Sequence, residues 1–259
     1  MKYGFIGCGN MGGALAHALS KSTKDIMLAD FDVEKAESKA CELDVSVGTN
    51  EQIAQSCDRI FLGVKPQMMA EMLEGIKPKL NKNAVLISMA AGLATDKIIK
   101  MSGIPSVIRI MPNTPVAVSK GTVLYCAQNV SDSVLADFVN DMRFSGKLYR
   151  LDEVLIDAGC SVSGCGPAFM YMFASAVAKG GEQCGLSYAQ AIKYAAATMA
   201  GAAEMLLTYG KTADELTDAV CSKGGSTIEG VNVLRNSEFE NIVADCIKAA
   251  YKRNIELGK

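Results

Sequence analysis

The sequence predicts an α/β domain, a doubly wound and mostly parallel sheet, followed by a domain built of helices alone. Three observations predict it. A glycine cluster sits between a short apolar strand and a helix. Strand and helix patterns then alternate along the chain. After about residue 155 the strand signals stop and Ala- and Met-rich helical patterns take over.

The first strand reads Tyr3-Gly4-Phe5-Ile6 and runs into Gly7-Cys8-Gly9-Asn10-Met11-Gly12, with a helical pattern (Leu15, Leu19) behind it. A second apolar run, Ile26 to Ala29, ends on Asp30. Strand, G-x-G-x-x-G, helix, strand and acid form a dinucleotide-binding fingerprint, the opening of a Rossmann domain. Gly7 permits the turn, Gly9 lets the backbone approach a pyrophosphate, and Gly12 lets helix and strand pack closely. The free N–H groups around Asn10 and Met11 attract phosphate.

Further strands are predicted at 45–47, 59–62, 84–87, 106–110, 122–126 and 147–149, with helices at 68–80 and 134–142 among those between. Thr49-x-x-Gln52, Ser187-x-x-Gln190 and Thr212-x-x-Glu215 read as capping boxes that open helices. These signals place a dinucleotide-binding domain at 1–155 and a helical domain at 156–259. The helix from Tyr188 to Leu207 is apolar around much of its circumference, which calls for cover on more than one face. A subunit interface supplies it, and a homodimer is the expectation.

Bulk properties exclude some functions. The chain has 259 residues, 49% apolar and 21% charged, with net charge -2 and no long basic run, so nucleic acid is not an expected partner. Residues 158–178 carry no charge, but Gly164, Gly166 and Pro167 interrupt them, which suits a buried helix better than a membrane span. The nine cysteines are scattered without metal spacing, beside a single histidine, His17. Reduced thiols in a cytoplasmic protein and no bound metal are expected.

Several loops are candidates for chemistry. Val64-Lys65-Pro66 follows a strand, where ligands of doubly wound sheets bind; Lys65 is either a phosphate or carboxylate partner or a solvated lysine before a helix whose first turn carries Pro66. Small residues around Ala90 leave room for a flat ring or simply form a loop. Two prolines stiffen the segment from Met111 through Asn113 to Pro115, as a site wall or a plain turn. Ser222-Lys223-Gly224-Gly225-Ser226-Thr227 combines a glycine pair with a helix start. Ser226-x-x-Glu229 is itself a capping box, so the physics of the sequence leaves a capped helix and a carboxylate nest as equal readings.

Taken in order along the whole chain, these motifs, with Ser163-Gly164-Cys165-Gly166-Pro167-Ala168, resemble the pyrroline-5-carboxylate reductases. The resemblance implies a Rossmann domain followed by an all-α dimerisation domain, a homodimer that can assemble further into decamers, and reduction of 1-pyrroline-5-carboxylate to L-proline by NADH or NADPH. Together with the fingerprint, which contributes Asp30, it implies cofactor contacts from Gly7, Gly9, Asn10, Met11, Gly12, Asp30, Asn50, Val64, Lys65, Pro66, Ala90, Met111 and Asn113. The carboxylate of the substrate falls to Ser222, Gly224, Gly225, Ser226 and Thr227, and the catalytic hydroxyl to Thr227.

Three departures stand out. Lys223 replaces the usual proline of the glycine loop, and Cys165 replaces a usual serine. Asp30 stands where members that favour NADPH carry small or polar residues, which predicts use of NADH at least as well as NADPH. Two other readings compete. A β-hydroxyacid dehydrogenase of the 6-phosphogluconate type would need a catalytic lysine, Lys179 or Lys193, and a non-catalytic dinucleotide sensor would share the fold.

Overall fold

The computed structural model describes residues 1–257. The chain divides into two compact units: Met1–Pro167 with the stretch from Ala250 onward, and Ala168–Ala249.

The first unit holds one sheet of β1 (Tyr3–Ile6), β2 (Ile26–Ala29), β3 (Ser46–Val47), β4 (Arg59–Leu62), β5 (Val85–Ser88), β6 (Val107–Met111), β7 (Gly121–Gln128) and β8 (Gly146–Arg150). Their order is β3-β2-β1-β4-β5-β6-β7-β8. Every pairing is parallel except β6 with β7. The direction of winding reverses between β1 and β4, the crevice where such sheets bind ligands. The register pairs Ile6 with both Ala29 and Leu62. Gly7, Asp30 and Gly63 therefore leave the sheet side by side.

The inner strands β1, β2, β4, β5 and β6 are buried on both faces, which is why they read as apolar runs rather than alternating patterns. Tyr3, Phe5 and Phe61 face one core layer with Leu15 and Leu19 of α1 (Asn10–Ser20) and Phe138 of α6 (Asp132–Asp141). Phe5 and Phe61 stack at 4.2 Å across neighbouring strands. Ile6, Ile60 and Leu62 face the other layer with Ile53 of α3 (Asn50–Ser56), Leu73 of α4 (Met69–Ile76) and Ile98 of α5 (Thr95–Ser102). On the first face α2 (Val33–Leu43) adds Ala40 and Leu43. The helix expected over 68–80 stops at Ile76 and gives way to a 3-10 turn, because Pro78 offers no N–H and crowds the preceding turn.

The helical run starts at α7 (Ile156–Ser163), close to the boundary read from sequence, yet α7 belongs to the sheet's unit and the division falls after Pro167. Its middle packs on β7: a Cβ on Gly159 would lie 2.4 Å from Leu124 Cδ1. Arg109, only 2% exposed, reaches from β6 to Asp157 Oδ1 at 2.7 Å and holds its other amino group 3.6 Å from Glu153.

The second unit is helical: most of α8 (Gly166–Gln183), α9 (Tyr188–Thr208), α10 (Ala213–Val220), α11 (Ser226–Arg235) and the first half of α12 (Phe239–Leu257). The capping boxes of Thr49, Ser187 and Thr212 all form. In α9 only Ala191 and Ala195 are buried, while Tyr194, Leu206 and Leu207 are exposed. By length and composition one helical stretch, Glu153–Gln183, suffices to cross a membrane. It is two helices, broken at Gly164–Cys165.

Candidate functional site

The phosphate loop is built as its glycines predict. Gly7 turns with φ 102°, and a Cβ there would meet the Gly63 backbone at 2.7 Å. A Cβ on Gly12 would lie 2.2 Å from the Gly7 carbonyl oxygen. A Cβ on Gly9 would meet nothing within 4 Å. Gly7 and Gly12 thus serve the packing of the turn, whereas Gly9 faces open space that a ligand can enter. Gly9 is also the N-cap of α1 and offers no side chain to the first amides of the helix. Those N–H groups are left for an anion.

Asp30 is fixed beside this loop. Its carboxylate accepts the Cys8 N–H at 2.6 Å and the Asp32 N–H at 3.0 Å. A groove of about 590 Å³ runs from here past the carboxyl ends of β1, β2 and β4. Of the residues predicted from sequence it gathers Gly7, Gly9, Asp30, Asn50, Val64 and Lys65. It adds Phe31, Glu51 and Glu71, which the sequence reading missed. Phe31 carried a signal, an aromatic residue between two acids in a loop, and it is 98% exposed. Pro66 opens the 3-10 turn after Lys65. Asn10 lines a neighbouring basin with Cys8, Gly9, His17 and Lys35.

Ala90 and Met111 follow or end β5 and β6 and are buried. Asn113 is buried too, and both ends of its amide bond inside the protein. Its oxygen accepts the Thr122 N–H at 2.8 Å, and its nitrogen donates to the Ser163 carbonyl at 3.0 Å. The side chain holds the end of α7 against the start of β7.

In the second unit the Ser222–Thr227 segment forms one turn and a helix start. Gly224 takes φ 73°, and the Gly225 N–H closes the turn on the Ser222 carbonyl at 3.0 Å. A Cβ on Gly225 would come within 2.3 Å of Ser222 Oγ, so the hydroxyl is folded over the glycine. The capping box read at Ser226 and Glu229 does not form. Gly225 is the N-cap of α11 and Ser226 the first helical residue, because the extended backbone that a cap requires falls on Gly225. The first amides of α11 consequently have no side-chain acceptor, and Thr227 follows at the second helical position with its side chain exposed.

Other reactive groups stand apart from these loops. His17 lies 3.8 Å from Glu42 on the face between α1 and α2. Burial pushes the Cys126 and Cys160 thiols up to about 11, and burial with the nearby Asp30 charge does the same to Cys8. Lys179 and Lys193 are exposed on α8 and α9.

The chain is 35% identical to the pyrroline-5-carboxylate reductase of Escherichia coli over 265 aligned positions, which span 100% of this chain and 98% of that one. It belongs to the pyrroline-5-carboxylate reductase family. The Pisum sativum reductase is 31% identical, covering 98% and 95% of the two chains. Residues 153–257 match the family model described as pyrroline-5-carboxylate reductase dimerisation, and residues 2–92 match that of NADP oxidoreductase, coenzyme F420-dependent. Among solved structures, the Coxiella burnetii reductase superposes with a TM-score of 0.92 at 28% identity over 100% of this chain and 98% of that one. The Plasmodium falciparum enzyme, solved with NADP bound, gives 0.86 at 28% identity and the same coverage.

Proposed function

We propose that this protein reduces 1-pyrroline-5-carboxylate to L-proline with NAD(P)H. The observation that carries the reading is the end-to-end likeness to the Escherichia coli reductase, 35% identical over 100% of this chain and 98% of that one.

The residues present suit a bound dinucleotide: an open Gly9, uncapped amides at α1 and a fixed carboxylate at Asp30. Bound NAD(P)H supplies the hydride that reduces the imine carbon. The chain's own work is to hold and orient the imine. The amides of Ser226 and Thr227 at the start of α11, with the Ser222 hydroxyl, bind its carboxylate. The Thr227 hydroxyl accepts a hydrogen bond from the protonated ring nitrogen, which aligns the imine and gives a path for a proton from solvent. A cyclic imine takes up a proton readily, so a hydroxyl suffices where a stronger acid is absent. Much of the acceleration then comes from holding the imine carbon in position.

The test is turnover of 1-pyrroline-5-carboxylate by the purified protein and by Thr227→Ala. The expected loss in kcat is about a hundredfold, within the usual worth of a positioned proton-transfer group. Dinucleotide binding and the circular dichroism spectrum should not change. Full activity in Thr227→Ala would remove the hydroxyl from the mechanism. No turnover by a folded wild-type protein that binds dinucleotide would favour another imine or a sensor role.

We also infer a homodimer, in which a second copy covers the exposed apolar residues of α8 and α9. Free thiols at every cysteine suit the reducing cytosol.

A further inference from the structure

The carboxyl end of β2 bears on the choice between the two dinucleotides once the phosphate-loop groove is read as the cofactor site, the reading on which this inference rests. Asp30 is not a loosely solvated acid. Two backbone donors, Cys8 N–H at 2.6 Å and Asp32 N–H at 3.0 Å, fix its carboxylate at the groove wall. A carboxylate has about four lone-pair sites, so two remain for ribose hydroxyls. Asp32 stands next to it, held as the N-cap of α2 by the Lys35 N–H at 3.2 Å. The same groove is lined by Asp30, Glu51 and Glu71 against a single cation, Lys65. Glu51 also bonds Lys79, which does not line the groove. Phe31 fills the position between the two aspartates with an exposed ring and no charge.

We propose that Asp30 makes this enzyme select NADH over NADPH, by accepting a hydrogen bond from the 2′-hydroxyl of the adenosine ribose and repelling a 2′-phosphate. The geometry allows the first at no reorganisation, since the carboxylate is already fixed. The charge balance of the groove enforces the second, because a phosphate dianion beside a carboxylate is opposed at short range. The opposing feature is Lys35. It lines the basin on the other side of Gly9, together with Lys39, whose ammonium lies 2.6 Å from Glu42.

The test is calorimetric binding of NADH and NADPH to the wild-type protein, Asp30→Ser, Asp30→Asn and Lys35→Met, alongside steady-state rates with each dinucleotide. Wild type should bind NADH at least about tenfold more tightly, a difference of about 1.4 kcal/mol. Both Asp30 variants should weaken NADH, strengthen NADPH and close most of that gap. Asp30→Asn keeps an oxygen for the two backbone donors, so it reports on charge even if Asp30→Ser disturbs the loop. Equal or tighter binding of NADPH by wild type would overturn the proposal, and its loss in Lys35→Met would assign the phosphate to the basin instead. A gap that both Asp30 variants leave unmoved would overturn it as well. Binding of neither dinucleotide by folded protein would overturn the cofactor reading, and the selectivity with it.

Discussion

Three glycines of the phosphate loop share a motif but not a physical role. Gly12 is required by the protein itself, since a Cβ would stand 2.2 Å from a backbone oxygen that has no freedom to move. Gly9 is required by nothing in the protein. This separates two outcomes. Gly12→Ala should lower stability by about 1–3 kcal/mol, the usual cost of forcing extra volume into a packed site. Gly9→Ala should leave thermal unfolding unchanged and weaken dinucleotide binding by about tenfold, or 1.4 kcal/mol. Thermal melts paired with binding isotherms would check both, and a destabilised Gly9→Ala that binds normally would contradict the assignment. The spacing of the glycines was legible in the sequence; which of them faces a ligand was not. At Ser226 the expected capping box is absent, because its pattern says nothing about which residue takes the extended backbone, and that residue is Gly225.

At the scale of elements, the inner strands of the sheet and several helix starts are legible in the sequence, where local chemistry speaks clearly. β1, β2 and β4 occupy the residues expected, since short apolar runs ended by turn residues leave little choice. Helix starts marked by Thr49, Ser187 and Thr212 also hold. The attachment of α7 was hidden, because it depends on partners remote in sequence. Arg109 binds its start through Asp157, and Asn113 binds its end through the Ser163 carbonyl. Asn254 of α12 adds a bond to the Asp157 carbonyl at 3.1 Å. Asn113→Ala leaves the Thr122 N–H and the Ser163 carbonyl without this partner in a part-buried setting, at a cost of about 1–3 kcal/mol. Thermal denaturation should show a loss of that order, with dinucleotide binding reduced less than tenfold. An unchanged melting temperature would mean that water or a shifted backbone replaces both bonds.

The whole chain leaves large apolar surface uncovered in the helical unit. Tyr171 and Met172 of α8, Tyr194 and Leu207 of α9, and Val233 of α11 are all exposed. Patches of this extent on a helical unit mark association surfaces. Multi-angle light scattering should give at least twice the chain mass, and Leu206→Glu should lower it by placing a charge in the contact. A monomeric mass for the wild-type protein would end the homodimer proposal.

What the sequence determined by itself is local. Apolar runs, glycine spacing, capping pairs and one acid after β2 are written in neighbouring residues, and they suffice for the fold class and for both glycine loops. Tertiary structure alone decided which atoms those residues meet: that Asp30 holds the Cys8 amide, that Asn113 spends its amide on α7 and β7, and that Gly9 is open while Gly12 is not. The reason is physical. Propensity and pattern act over a few bonds, whereas burial, hydrogen-bond partners and charge balance depend on groups brought together from distant parts of the chain.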